Sequence, residues 1–293
     1  MALGVAVVLL VASGLRWQRH PQALAEDLQH PVRHAFVAAV PVSVLLLATV
    51  GVVHDGPAGA LTGLWRTLWW LGCLGQLWAT LWVLGRWLAP ASPGRAGSLW
   101  PAVSPVLLIP VVGNVVVPLA GLPLGHTLWA TMQFGIGAVL WPVVIALMLA
   151  RRFAHGPLPD RLLPVWFITI APPTVIALVL LKMQAPLMVA TGLWGVGLFF
   201  MAWVLPLGRR IAGQPFGIPF WAVSFPLAAM TTLTLRMSEA LPGLGLVRMA
   251  AVLMLAATSV VILWLCFATV RGLRDGTLLA PEPVAMIAPV PVS

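Results

Sequence analysis

Residues 217–237 read GIPFWAVSFPLAAMTTLTLRM, a stretch long and apolar enough to span a bilayer. It carries Pro226 at its centre, with Phe225 immediately before it. A proline inside an ordinary α-helix removes one backbone hydrogen bond and costs roughly 3 kcal/mol. In lipid the freed carbonyl, here that of Ala222, needs another partner or a cavity to line. On a helical wheel Ala222, Phe225, Ala229 and Thr232 share one face, and three of the four are small. That face reads as a narrow passage closed by one ring. Packing of Phe225 in a bundle core, with small residues admitting a neighbouring helix, explains the same pattern.

The rest of the chain puts this stretch in a membrane. Of the 293 residues 61% are hydrophobic and 8% charged, and the mean hydropathy of +1.02 excludes an ordinary soluble domain. The net charge of +9 comes from Arg residues scattered in short loops. No basic run forms a nucleic-acid patch, so the excess reflects the positive-inside rule. Cys73 and Cys266 both fall in apolar segments and read as buried thiols. Fifteen Trp and no Tyr, with many Trp near segment ends, suit an interfacial belt.

Nine apolar segments follow in order. The first, 2–15, is short and has no basic n-region before it, so it reads as the second half of a spanning helix rather than a signal peptide. After a polar loop, 16–34, the others run 35–53, 64–88, 102–121, 124–150, 162–181, 186–207, 217–237 and 246–270. The Pro/Gly/Ser stretch 89–98 is a breaker. Residues 1–275 form one transmembrane channel or transporter domain, and 276–293 a disordered tail. Segments two, four, six and eight carry mid-membrane prolines: Pro41, Pro110 with Pro118, Pro172 with Pro173, and Pro226. The third and ninth have no interior proline, while Pro142 in the fifth departs from the pattern. The expected architecture is an all-α membrane protein of helical hairpins, with kinked helices in an inner ring and straight ones in an outer ring. Twelve of the sixteen Lys and Arg lie in loops 16–34, 86–95, 151–161, 208–213 and 271–275, which puts the C-terminus in the cytoplasm.

Four stretches together carry a resemblance. HPVRHAFVAAVPVSVLLLA (30–48), PVLLIPVVGNVVVPLAG (105–121), LPVWFITIAPPTVIALV (163–179) and WAVSFPLAAM (221–230) resemble the slow-type anion channel and tellurite-resistance (TehA-like) family. That family includes members described as C4-dicarboxylate and malic acid transporters. The resemblance implies ten helices, five inner and five outer, around one pore per subunit, in a homotrimer. It also implies an aromatic gate on the penultimate helix, which maps onto Phe225. The family's first helix and the start of its second have no counterpart here, so nine spans of ten are present. The expectation is a misplaced start or a truncated variant, with an apolar segment of about 25–45 residues upstream of Met1 in the native frame.

The candidate pore residues follow from the kinked segments: Pro41, Ser43, Pro110, Gly113, Asn114, Pro118, Pro172, Pro173, Ala222, Pro226, Ala229 and Thr232, with Phe225 as the gate. Asn114 either meets permeating anions through its amide N–H or repairs the backbone bond that Pro118 leaves open. Ser43, Ser224, Thr174 and Thr232 either offer hydroxyls to a pore or satisfy carbonyls beside prolines. Gln76 and Gln133 read as glue between helices. His30 and His34 stand at metal-ligand spacing but lack a third ligand, and read as a helix-start pair. The carboxylates Glu26, Asp27, Asp55, Asp160, Glu239, Asp275 and Glu282 all fall in loops or at segment ends. A pore free of charge with basic mouths suits weakly selective passage of small anions such as chloride or nitrate, and suits ion-coupled transport less well. The competing readings are a secondary transporter for C4-dicarboxylates or malate, and tellurite resistance through anion export. With no P-loop, dinucleotide fingerprint or nucleophile–base set, neither an enzyme, a cofactor nor a nucleic-acid partner is expected.

Overall fold

A computed structural model describes residues 2–30, 32–88 and 103–279, in which helices and turns occur and no strand. The breaker expected at 89–98 lies outside the described residues, as does the tail from residue 280 on; Thr277–Leu279 forms a 3₁₀ turn.

The α-helices are α1 (Ala2–Arg19), α2 (Pro21–Gln29), α3 (Ala39–Asp55), α4 (Thr62–Gly85), α5 (Leu108–Val116) and α6 (Pro118–Gly121). They continue with α7 (Thr127–His155), α8 (Ala171–Lys182), α9 (Leu187–Val204), α10 (Leu207–Ala212), α11 (Ser224–Ala240) and α12 (Gly245–Arg274). Among the described residues seven continuous stretches are long and apolar enough to cross a membrane: Arg33–Asp55, α4, α7, Asp160–Lys182, α9, Ile218–Ala240 and α12. Pro105–Gly121 is apolar but shorter. The nine segments read from the sequence fall on these eight stretches and on α1, and seven of the nine have the length and hydropathy of a span.

Four of these stretches share one backbone device. A 3₁₀ segment runs directly into an α-helix at Arg33–Ala38/α3, Pro105–Leu107/α5, Asp160–Ile170/α8 and Ile218–Val223/α11. The prolines sit at the second or third residue of the α-helix in every case: Pro41, Pro110, Pro172 with Pro173, and Pro226. The stretches α4, α7, α9 and α12 have no such 3₁₀ lead, and α7 accommodates Pro142 within its length.

Two units partition the chain, residues 1–156 with 182–184 and residues 157–181 with 185–293. In the first, α3 and α4 form a hairpin whose turn is held by the Asp55 carboxylate accepting the Leu61 N–H at 2.8 Å. Helix α5 packs on α7, α4 and α3. Gly137 is what lets α7 approach α5, because a Cβ there would stand 2.8 Å from the Val111 carbonyl oxygen and 2.5 Å from a Val115 methyl. Asp27 on α2 accepts from both Arg16 (2.9 Å) and Arg33 (3.0 Å), tying α1 and the first 3₁₀ segment together.

In the second unit the 3₁₀ segment Asp160–Ile170 packs against Ile218–Val223, α9, α10 and α11. Helices α11 and α12 form a hairpin in which the Thr231 and Thr258 hydroxyls meet at 2.8 Å. Ala177, Ala190, Leu233, Met237 and Val247 form a buried cluster in this unit.

Candidate functional site

At the three junctions with a single proline, the 3₁₀-to-α change gives the backbone a way to absorb it. In a 3₁₀ segment each N–H bonds three residues back, and in an α-helix four back. Where one follows the other, two successive donors compete for the same carbonyl. A proline at that point supplies the missing donor's place and leaves no carbonyl short. The observed bonds show this register: the N–H groups of Ala39, Leu108, Ala171 and Ser224 bond the carbonyls of Phe36, Pro105, Ile168 and Trp221, each three residues back. Pro226 stands two residues after the last of these bonds, where the change of register falls, and has no N–H to give. Pro118 is accommodated differently, as the first residue of α6, where no intrahelical donor is required.

Around α5 the first unit concentrates its buried polar side chains. Asn114 is fully buried, and its Nδ2 donates to the Thr80 hydroxyl (2.8 Å) and to the Pro110 carbonyl (2.9 Å). The Pro110 carbonyl also accepts from Gln76 Nε2 (2.8 Å) and from the Thr80 hydroxyl (2.6 Å). Gln133 of α7 donates through Nε2 to Asn114 Oδ1 and to the Cys73 carbonyl, both at 3.0 Å, while its own Oε1 accepts from Trp129 Nε1 at 2.9 Å. The network thus bolts α4, α5 and α7 together through the backbone of one kinked helix. Gly113 makes room for it, since a Cβ at that position would meet the Gln76 amide at 2.3 Å and a Val42 methyl at 2.5 Å. Beside it Trp69 Nε1 donates to the Val117 carbonyl at 2.9 Å, just before Pro118. Pro110, Gly113, Asn114 and Pro118 are all buried.

On α3 the arrangement is more open. Ser43 is exposed and its hydroxyl donates to the Ala39 carbonyl at 2.7 Å, while Pro41 is half-buried. Phe36, Val40, Ser43, Val50 and His54 form an exposed stripe down this stretch. His30 Nδ1 accepts the N–H groups of Val32 and Arg33 at 3.1 Å, and His34 Nδ1 donates to the His30 carbonyl at 3.0 Å. These bonds cap the turn that leads into the 3₁₀ segment.

In the second unit Pro172 and Pro173 are buried, and the Thr174 hydroxyl donates to the Ile170 carbonyl at 2.5 Å. Phe225 is half-buried at the start of α11, beside buried Pro226. The short 3₁₀ lead keeps Ala222 in line with Phe225, because side chains three apart eclipse in that geometry. Ala222 is half-buried, Ala229 is buried at 8% exposure, and Thr232 is exposed with its hydroxyl on the Ala228 carbonyl at 2.9 Å. Ser224 likewise donates to the Trp221 carbonyl at 2.7 Å. The open side of α11 thus runs from Phe225 past Ala228 to Thr232 and Arg236, and Ala229 lies at its buried edge.

Thr80 and Trp69 are parts of these arrangements that the sequence reading did not single out. Thr80 stands four residues after Gln76 on α4, a spacing that puts both on one helix face and would have flagged it.

Among the described residues the carboxylates stand at helix ends or in turns. Besides Asp27 and Asp55, Asp160 pairs with Arg210 at 2.7 Å, Glu239 with Arg236 at 2.9 Å and Asp275 with Arg271 at 3.5 Å. These pairs are exposed and contribute little to stability, but they leave the middles of the spans without charge.

Comparison with known proteins supplies a family. The family model described as SLAC1, voltage-dependent anion channel, matches residues 1–270. The chain is 26% identical over 242 residues to the S-type anion channel SLAH2 of Arabidopsis thaliana, covering 82% of this chain and 45% of that protein. Against the S-type anion channel SLAH3 of the same plant it is 27% identical over 275 residues, 90% of this chain and 40% of the relative. It is also 27% identical over 248 residues to the uncharacterized transporter MJ0576 of Methanocaldococcus jannaschii, covering 76% and 68% of the two. The chain therefore spans less than half the length of these plant relatives.

Proposed function

The chain belongs to the SLAC1 voltage-dependent anion channel family, and we propose that it passes small monovalent anions such as chloride or nitrate through a passage closed by Phe225. The observation that carries this reading is the charge-free middle of the spans, flanked by basic ends. A fixed cation at mid-membrane would hold an anion too firmly to release it, whereas apolar walls with cationic mouths attract and discharge it. Coupling to protons usually calls on an intramembrane carboxylate or His, and among the described residues the carboxylates stand at span ends. Phe225 suits a steric closure because it is large, half-buried and on the open side of α11 among small residues. Its positive ring edge is also compatible with a passing anion. The reading assigns no chemical step to the chain. The homotrimer and the cytoplasmic C-terminus belong to the same proposal, the first from the family likeness and the second from the distribution of Arg.

A secondary transporter of C4-dicarboxylates or malate, and tellurite resistance by anion export, are the competing readings. Recording from reconstituted protein separates them. The channel reading expects currents whose reversal potential follows the chloride gradient, without dependence on a pH gradient, and a many-fold rise in conductance for Phe225→Ala. Saturable malate uptake driven by a proton gradient would replace it with the transporter reading. Unchanged conductance in a well-folded Phe225→Ala protein would remove Phe225 from the gate.

A further inference from the structure

We propose that the junction prolines act as register locks, each fixing the point where 3₁₀ geometry gives way to α-helix. A run of 3₁₀ longer than three or four residues is uncommon, because its hydrogen bonds are poorer than those of an α-helix. Here two runs have six residues and one has eleven, Asp160–Ile170. Something must stop α-helix from growing backward through them. The prolines do so at each junction by the same arithmetic of donors. If Ile218–Val223 became α-helical, the Ala222 carbonyl would look four residues ahead for its donor and find Pro226, which has no N–H. With the 3₁₀ register the Phe225 N–H serves that carbonyl. The same holds for the Val37 carbonyl before Pro41 and the Val106 carbonyl before Pro110.

The longest 3₁₀ run stands before the double proline. Pro172 and Pro173 remove two successive donors, one more than a single change of register absorbs, and α-helix is barred from Asp160–Ile170 most firmly. A side-chain tie also holds the shorter run before α11, where Trp221 Nε1 donates to the Thr269 hydroxyl of α12 at 2.9 Å.

The lock has a geometric consequence. A residue rises about 2.0 Å in 3₁₀ and about 1.5 Å in α-helix, and turns about 120° against about 100°. Converting the six residues Ile218–Val223 would shorten the stretch by about 3 Å and turn its first residue by about 120° relative to Phe225. The position of the lock therefore sets the azimuth of everything N-terminal to Phe225. This inference concerns the backbone and stands whether or not Phe225 is a gate.

The test is a distance. Spin labels at Gly217→Cys and Leu241→Cys, in a Cys73→Ala, Cys266→Ala background, bracket the 3₁₀ segment and α11. Pulsed dipolar spectroscopy on reconstituted protein should give a distance about 3 Å shorter in Pro226→Ala than in the parent. An unchanged distance in folded Pro226→Ala overturns the proposal, because the 3₁₀ segment would then persist without its lock. Should Pro226→Ala fail to fold, the same comparison is made for Pro41→Ala with labels at Val32→Cys and Pro57→Cys. The predicted shortening there is again about 3 Å, for six converted residues.

Discussion

Helices α5 and α11 begin alike and end up in opposite circumstances. Each follows a 3₁₀ segment and carries a proline at its third residue. On α5 the residues after the proline are buried without exception up to Pro118, and Asn114 is fastened to neighbours on two other helices. On α11 the residue before the proline is a half-buried ring, and the hydroxyls of Ser224 and Thr232 turn back onto their own helix. The lesson is that the kink alone does not say what a helix is for. The same backbone device begins a helix buried all round in α5, and in α11 a helix fastened on one side through Thr231 to Thr258 and Thr234 to Trp194, with the side that carries Phe225, Ala228 and Thr232 left more open.

Substitutions can break or sharpen that contrast. The largest effect is expected for Gly137→Val, because the new Cβ meets backbone atoms of α5 that cannot turn aside. Overpacking of this kind costs ~1–3 kcal/mol or more, and a loss of folded protein in thermal-unfolding assays is expected. Asn114→Leu should come next. It removes bonds to Thr80 and Gln133, and interhelical hydrogen bonds in membranes are worth ~0.6 to ~1.7 kcal/mol each. A detergent melting curve shifted clearly downward is the expected result, with no gain in anion flux. Trp194→Phe on α9 should be mildest, since it removes a single bond to the Thr234 hydroxyl at 3.1 Å. About 0.6 kcal/mol is expected, a small shift in the same assay. If Asn114→Leu melted no earlier than Trp194→Phe, α5 would not be the anchor described here.

Which segments carry the 3₁₀ junctions was legible from the sequence, because the prolines at Pro41, Pro110, Pro172 with Pro173 and Pro226 mark them. The all-helical membrane class followed from composition alone. What escaped was how the backbone absorbs the prolines. A helical wheel at 100° per residue presumes α-helix throughout, and nothing in IPFWAV marks it as 3₁₀ rather than α. For that reason a wheel drawn at 100° per residue misplaces the residues before Ser224 relative to Phe225. The environment of Asn114 was half legible: a lone amide amid valines announces a polar contact, but Thr80 and Gln133 lie 34 and 19 residues away, and sequence spacing does not bring them together. Of the face read on this stretch, Ala222 and Phe225 are half-buried and Thr232 exposed, while Ala229 lies at its buried edge.

Ile109 and Phe225 occupy the same place, immediately before a junction proline, on the anchored and the open helix. Chloride flux into proteoliposomes, measured side by side for Ile109→Ala, Phe225→Ala and the unaltered chain at equal amounts of folded protein, tests the contrast most directly. The account predicts a many-fold rise for Phe225→Ala and none for Ile109→Ala, which loses only packing. Equal fluxes from the two variants would contradict it, and would leave the half-buried ring of α11 as one more packed side chain.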